Sequence, residues 1–181
     1  TRTTLVRERW ARVERLGLRR DADAFPEGTS DAELVDRRGR LENAFREQRQ
    51  LLERIPEPLC RGPLVTVIAD RDGVILSARS DPRSADPMTR VRLVDGACWG
   101  EETRGTNAIG TALREGCPVA VVGEAHFELR NRGLFCYATP IHDAYGEVVA
   151  VLDVTGPLSS HDPTLGSAVH SAGLALERAL R

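Results

Sequence analysis

Lysine is absent: all 25 basic residues are arginine, and 27 acidic residues bring the net charge to −2. Balanced charge of this kind leaves no basic footprint for a nucleic-acid surface. The arginine-only usage reads as coding background and solvated faces. Long apolar runs are missing too. The longest, Val148 to Leu152, is far short of the roughly 20 residues that a membrane-spanning helix needs. There is no charged-then-apolar leader, no CxxC pair among Cys60, Cys98, Cys117 and Cys136, and no metal-type spacing between them and the four histidines. A reduced, cytoplasmic protein without a membrane partner is expected. No glycine-rich phosphate loop, HExxH or GxSxG occurs, so catalysis has little support and no cofactor can be identified.

What the chain does contain is concentrated in Cys98 to Gly116, CWGEETRGTNAIGTALREG. Thr106 and Asn107 offer side-chain oxygens to the free N–H groups of a helix start. Ile109, Ala112 and Leu113 share a face, and Gly116 followed by Pro118 ends the helix. Small residues around Gly105 to Ala112 let this backbone approach a sheet or a ligand closely. The turn presents N–H donors and the positive end of the helix dipole beside Trp99 and the carboxylates of Glu101 and Glu102. Two readings stand side by side: the wall of a small-molecule pocket, or a cap beside a core tryptophan.

Elsewhere the periodicity divides the chain. Val6, Trp10, Val13 and Leu16 predict a helix over 3–16 stopped by Gly17, and Ser30 with Glu33 predicts a capped second helix that Gly39 interrupts. Leu41, Phe45, Gln48, Leu52 and Ile55 carry a four-three spacing. The same spacing recurs after Asp162-Pro163 at Leu165, Val169, Ala172, Leu176 and Ala179. Such stripes suit either the cover of a sheet or a homodimer interface through the terminal helices. Between them the period falls to two: Leu64–Ala69 and Val74–Leu76 around Asp70-Arg71-Asp72-Gly73, then 118–122, 134–141 and 148–154. Residues 80–97 read as a loop. An N-terminal helical extension, 1–40, is expected before a main domain, 41–181. The class is α+β, with five to six strands in an antiparallel sheet.

WGEETRGTNAIGTAL, VVGEAHF and LFCYATPIHDAYGEVVAVLDVTG together resemble the GAF sensor domain of the acetoin-catabolism and dihydroxyacetone (glycerol) regulators, a family of sigma-54-dependent transcription activators. The resemblance covers about residues 60–160. It implies a PAS-like sheet of order 2-1-5-4-3, terminal helices on one face and a ligand cavity on the other. It implies a small-molecule effector held by Trp99, Glu101, Thr106, Asn107, His126, Phe127, Phe135 and Cys136. It also implies that DNA and RNA polymerase are met only through output domains, which these residues lack; a truncated sensor fragment is expected. The chain departs from the family where Ala-Glu-His-Phe becomes Glu124-Ala125-His126-Phe127, and where Asp-Val-Ser-Gly becomes Asp153-Val154-Thr155-Gly156.

Taken singly, these residues have plainer readings. Cys136 is a buried filler or a redox-sensitive thiol, His126 is a loop histidine with or without a ligand role, and Asp153 is structural, accepting a backbone hydrogen bond at a strand end. Three other functions compete with the sensor. One is a methionine sulfoxide reductase-type enzyme using Cys98, Cys117 and Cys136; the second is a metal or haem sensor on His126 and a cysteine; the third is a ligand-free dimerisation module.

Overall fold

Two neighbouring strands, buried on both faces along most of their length, set the frame. Leu134–His142 (β4) and Val148–Pro157 (β5) pair antiparallel with Cys136 opposite Thr155 and Ala138 opposite Asp153. The turn between them is held by the Asp143 carboxylate, which accepts from the N–H groups of Tyr145 and Glu147. Val65–Asp70 (β1), Ile75–Ser80 (β2) and Val119–Val122 (β3) complete the sheet in the order β2-β1-β5-β4-β3, all neighbours antiparallel. This is the order expected from the family resemblance. The computed structural model describes residues 2–44, 59, 62–81 and 89–180. The predicted helix through Phe45, Gln48, Leu52 and Ile55, together with Cys60, lies outside those residues.

Alternation sends successive side chains to opposite faces, so the sheet has two cores. On one, Phe135, Tyr137, Ile141, Leu152 and Val154 pack against Val169, Ala172 and Leu176 of the helix Thr164–Ala179, whose start is held by Asp162 accepting from Thr164 N–H at 2.8 Å. On the other, Val65, Val67, Val121, Cys136, Ala138 and Val151 meet Trp99, Ala108, Ile109 and Ala112.

The roof of this second core is built by the helices Glu101–Arg104 (α3) and Ala108–Glu115 (α4); Arg2–Glu14 (α1) pairs with both from outside, Asp31–Ala44 (α2) carries Leu41 against the first core, and Thr164–Ala179 is α5. α4 lies directly on the sheet. A Cβ at Gly110 would collide with the backbone N of Glu101, so only glycine lets α3 and α4 come this close. Gly116 closes α4 in a left-handed conformation, φ 62°. Gly39 does not interrupt α2, which runs unbroken through it: helix propensity is a weak local term, and Arg37 and Arg38 anchor the helix to Asp70, Asp72, Asp95 and the Leu76 carbonyl.

The two helix glycines therefore predict opposite outcomes. Gly39 has open space around it, and Gly39→Ala is expected to raise stability by about 0.5–1 kcal/mol. Gly110→Ala is expected to cost about 1–3 kcal/mol through overpacking. Urea midpoints of the two variants check both signs.

Candidate functional site

Beneath α4 the apolar core is interrupted by a row of buried polar side chains. β5 contributes Asp153 and Thr155, two residues apart and therefore on one face, and β4 contributes Cys136 opposite Thr155. The Thr155 hydroxyl donates to Asp153 Oδ2 at 2.8 Å. His126 joins from the loop after β3, with Nε2 3.2 Å from Cys136 Sγ and Nδ1 3.0 Å from the Gly123 carbonyl. A carbonyl only accepts, so Nδ1 carries the proton, Nε2 is the acceptor, and the thiol donates to it. His126 is fully buried on the loop that the sequence predicts.

Among the described residues, Asp153 Oδ1 of the row, and Thr106 Oγ1 and Thr111 Oγ1 of α4 and the turn before it, are buried without a hydrogen-bond partner. Thr106 sits in the turn before α4. Thr111 lies within α4, one turn after Ala108 and beside Ala112, which pack into this core. A buried polar group without a partner costs about 1–3 kcal/mol, and each such group calls for an explanation.

Burial also decides protonation. With no cation beside it, the Asp153 carboxyl is pushed up to about 7 by desolvation, against the Thr155 hydrogen bond. Desolvation pulls His126 down to about 4 and drives the Cys136 thiol upward, with Asp153 adding to the rise. The proton between sulfur and imidazole therefore stays on sulfur, and no thiolate–imidazolium pair forms. Cys98 lies half-buried near Thr103 Oγ1, and Cys117 is exposed. The three described cysteines thus occupy three separate environments. Among the described residues no group of three His, Cys, Asp or Glu is placed to hold a metal ion.

The other expected site residues are placed as follows. Asn107 caps α4, accepting from Gly110 N–H at 2.9 Å and donating to the carbonyls of Trp99 and Gly105. The Trp99 ring is buried in the core with its N–H on the Arg92 carbonyl, and the Arg104 guanidinium stacks on its face at 3.8 Å. Arg104 is itself buried and paired with Glu128. Phe127 is buried against Gly105, whose positive φ and missing Cβ make room for the ring. The Glu101 carboxylate is taken by Arg12 of α1 at 2.7–2.8 Å; burial nevertheless raises its pKa, Arg12 opposing. Phe135 is not on this face: alternation turns it toward α5, where it packs with Tyr137 and His161. Asp153 lies mid-strand, paired with Thr155, not with a backbone N–H at a strand end. Thr111, Asp153 and Thr155 are the polar residues that sequence reasoning did not assign to the site. The signal was Asp and Thr at alternate positions of an otherwise apolar strand.

A five-stranded antiparallel sheet of this order, with a short helix roofing one face over a buried polar row, defines a GAF-like α+β domain of the kind found at the N-terminus of transcriptional activators. The chain belongs to the family described as MimR, N-terminal domain, which it matches over residues 39–178. It is 30% identical over 175 residues to the acetoin dehydrogenase operon transcriptional activator AcoR of Bacillus subtilis, covering 97% of this chain and 29% of that protein. It is 33% identical over 133 residues to the propane 2-monooxygenase operon transcriptional activator MimR of Mycolicibacterium smegmatis, covering 72% of this chain and 23% of that protein. The chain thus spans less than a third of the length of either relative. Its fold is similar to that in the crystal structure of the E. coli DhaR(N)–DhaL complex, with a TM-score of 0.81 at 22% identity, covering 97% of this chain and 58% of that one. Among the described residues, no helix is long and apolar enough to cross a membrane.

The buried acids and bases give a signed pH prediction. Between 3.8 and about 7 the folded chain keeps on Asp153 a proton that the unfolded chain has lost, so this residue lowers stability as pH rises through that window and adds nothing further above it. His126 runs the other way, costing stability as pH falls from 6.5 toward about 4. Asp153→Asn removes only the first effect. The stability of the variant relative to wild type is expected to climb from about pH 4 to about pH 7, by up to about 4 kcal/mol, and then level off. Urea unfolding at a series of pH values checks it, and a flat difference curve contradicts the burial of a lone carboxyl.

Proposed function

We propose that this domain is the signal-sensing module of a transcriptional activator, and that a small, uncharged, hydrogen-bonding effector occupies the polar row beneath α4. The observation that carries this reading is the set of three unpartnered buried oxygens, on Asp153 of β5, on Thr106 in the turn before α4 and on Thr111 within α4. A compact molecule bearing hydroxyl or carbonyl groups would satisfy them. Around it, Cys136, His126 and Phe127 would line the wall; Trp99 and Asn107 would hold the roof in shape, and Glu101 and Phe135 would act outside the cavity. Among the described residues no cationic side chain bonds to the row, Arg132 acting on His126 only through space, so a carboxylate or phosphate would lose its hydration with little compensating charge.

The likeness to AcoR and MimR supports an output in transcription, with DNA and RNA polymerase engaged by regions other than these residues, in the cytoplasm. We infer a division near residue 40, the segment 1–40 being an extension and 41–181 the sensor domain. α5, with Leu174 exposed, is the element through which two copies would pair and through which a change of packing would be passed on. A catalytic role is not part of this reading, because Cys136 and His126 are both held neutral.

The test is a thermal-shift and calorimetric screen of the domain against short ketones, diols, hydroxy-ketones and alcohols, with carboxylates and phosphates as the contrast. Uncharged compounds are expected to raise Tm, the rise growing with the logarithm of ligand concentration once it exceeds Kd, as linkage requires. Thr111→Val keeps the shape and removes an unsatisfied hydroxyl. It should stabilise the free domain by about 1 kcal/mol and weaken the effector by about tenfold. Binding of anions alone, or equal affinity in Thr111→Val, would sink the assignment.

A further inference from the structure

Every atom of the polar row is buried, so an effector can reach it only if part of the enclosure opens. The floor is the sheet, backed by α5. α4 is tied to the floor by Ala108, Ile109 and Ala112. Among the described residues the segment 91–99 adds Val91, Leu93, Ala97 and Trp99 to the same core, and the loop 123–131 brings His126 and Phe127 to the row. Within itself this loop makes short-range bonds only, His126 N–H to Gly123 O and Asn131 N–H to Glu128 O. From outside it is held on two sides: the Phe127 N–H on the Thr106 carbonyl, the buried Arg104–Glu128 pair and the His126–Cys136 bond tie it to the roof and the sheet, and the N-terminal segment covers its outer side. Trp10 Nε1 donates to the Ala125 carbonyl at 3.2 Å, Leu129 N–H donates to the Arg20 carbonyl at 2.9 Å, and the Arg20 guanidinium covers both the Trp10 ring (4.1 Å) and the Phe127 ring (5.6 Å).

The same segment is bolted to the helical roof. Arg9 forms a two-point pair with Glu115 at the end of α4 (2.9 and 2.6 Å), and Arg12 pairs with Glu101 at the start of α3. Farther along, Phe25 lies under Arg130 at 4.2 Å, and Thr29 N–H reaches the Gly96 carbonyl at 2.8 Å. Residues 2–29 therefore form one strap across α3, α4 and the 123–131 loop. A cleft of about 260 Å³ already separates part of the strap from the roof, lined by Leu18, Phe25, Thr103, Arg104, Phe127 and Glu128.

We propose that residues 2–29 are the gate of the buried row: the effector enters and leaves when the strap releases the 123–131 loop, and a bound effector changes how firmly the strap is seated. The part played by an effector rests on the sensor reading above, whereas the gating of the row does not. The contacts suit reversible release. Beside the fully buried Val13, they are chiefly ion pairs and arginine–aromatic stacks along a seam that is partly exposed, which opens at less cost than an apolar core.

Cys136 lies at the row and provides the probe. In the full chain with Cys60→Ser, Cys98→Ser and Cys117→Ser, its labelling by methyl methanethiosulfonate is followed as a function of urea, alongside global unfolding. Gated access predicts labelling with a much weaker urea dependence than global unfolding, because strap release exposes little surface. Arg9→Ala with Arg12→Ala should accelerate that labelling by about tenfold or more at unchanged urea dependence. Exchanging the charges, Arg9→Glu with Glu115→Arg, should slow it again relative to Arg9→Glu alone, which separates the ion pair from simple loss of packing. If Cys136 is labelled only with the full urea dependence of unfolding, and the strap variants change its rate only as far as they change global stability, the gate is wrong. The two readings fail separately: effectors that bind a domain with no local opening remove the gate alone, and gated labelling in a domain that binds no uncharged compound removes the effector alone.

Discussion

The amide of Asn107 accepts from Gly110 and donates to the carbonyls of Trp99 and Gly105. Those three bonds hold together the end of α3, the turn and the first residues of α4. Much else in the second core depends on them. They tie Trp99 and Gly105 to the first turn of α4, and they keep the Gly105 turn in the shape against which Phe127 packs. A cap is usually a local device worth about 1 kcal/mol. Here, because its donors reach back eight residues to Trp99, it also fixes tertiary geometry.

Below that roof the domain tolerates what a stability-optimised core would remove. A carboxyl without a cation, a thiol and an imidazole that share one proton, and two unpartnered threonine hydroxyls replace apolar contacts at the centre of the molecule. Replacing them with packed aliphatic side chains would be neutral or favourable for folding. Their presence makes sense if the folded state is completed by something that meets those groups. The same burial that makes the row costly keeps it uncharged, which bears on the class of effector and argues against thiol chemistry together.

Much of the fold was legible in the chain because it depends on local periodicity. The short apolar runs LFCYATPIH and VVAVLDVTG on either side of a turn, the Asn107 and Asp162 caps, and the Gly116 stop each state a backbone conformation within a few residues. The site was less legible. Phe135 and Cys136 are adjacent in sequence, yet the pleat sends one to α5 and the other to α4. Glu101 offered a carboxylate beside a helix start, and its partner proved to be Arg12, 89 positions away. Gly39 looked like a helix breaker and was overruled by the anchoring of its neighbours. Thr111 had no signal of its own, since a threonine in a short helix reads alike whether its hydroxyl faces water or a sheet.

By itself the sequence determined the α+β class, the strands and their alternation, the capped helix after Trp99 and the absence of a basic footprint, because each follows from propensity, period or composition over short windows. Only the tertiary structure decided which polar residues meet. It brought Asp153, Thr155, Cys136 and His126 into one row, left three oxygens without partners, and laid the N-terminal strap across the roof. These outcomes depend on strand register and on ion pairs between distant segments, which one-dimensional spacing does not encode.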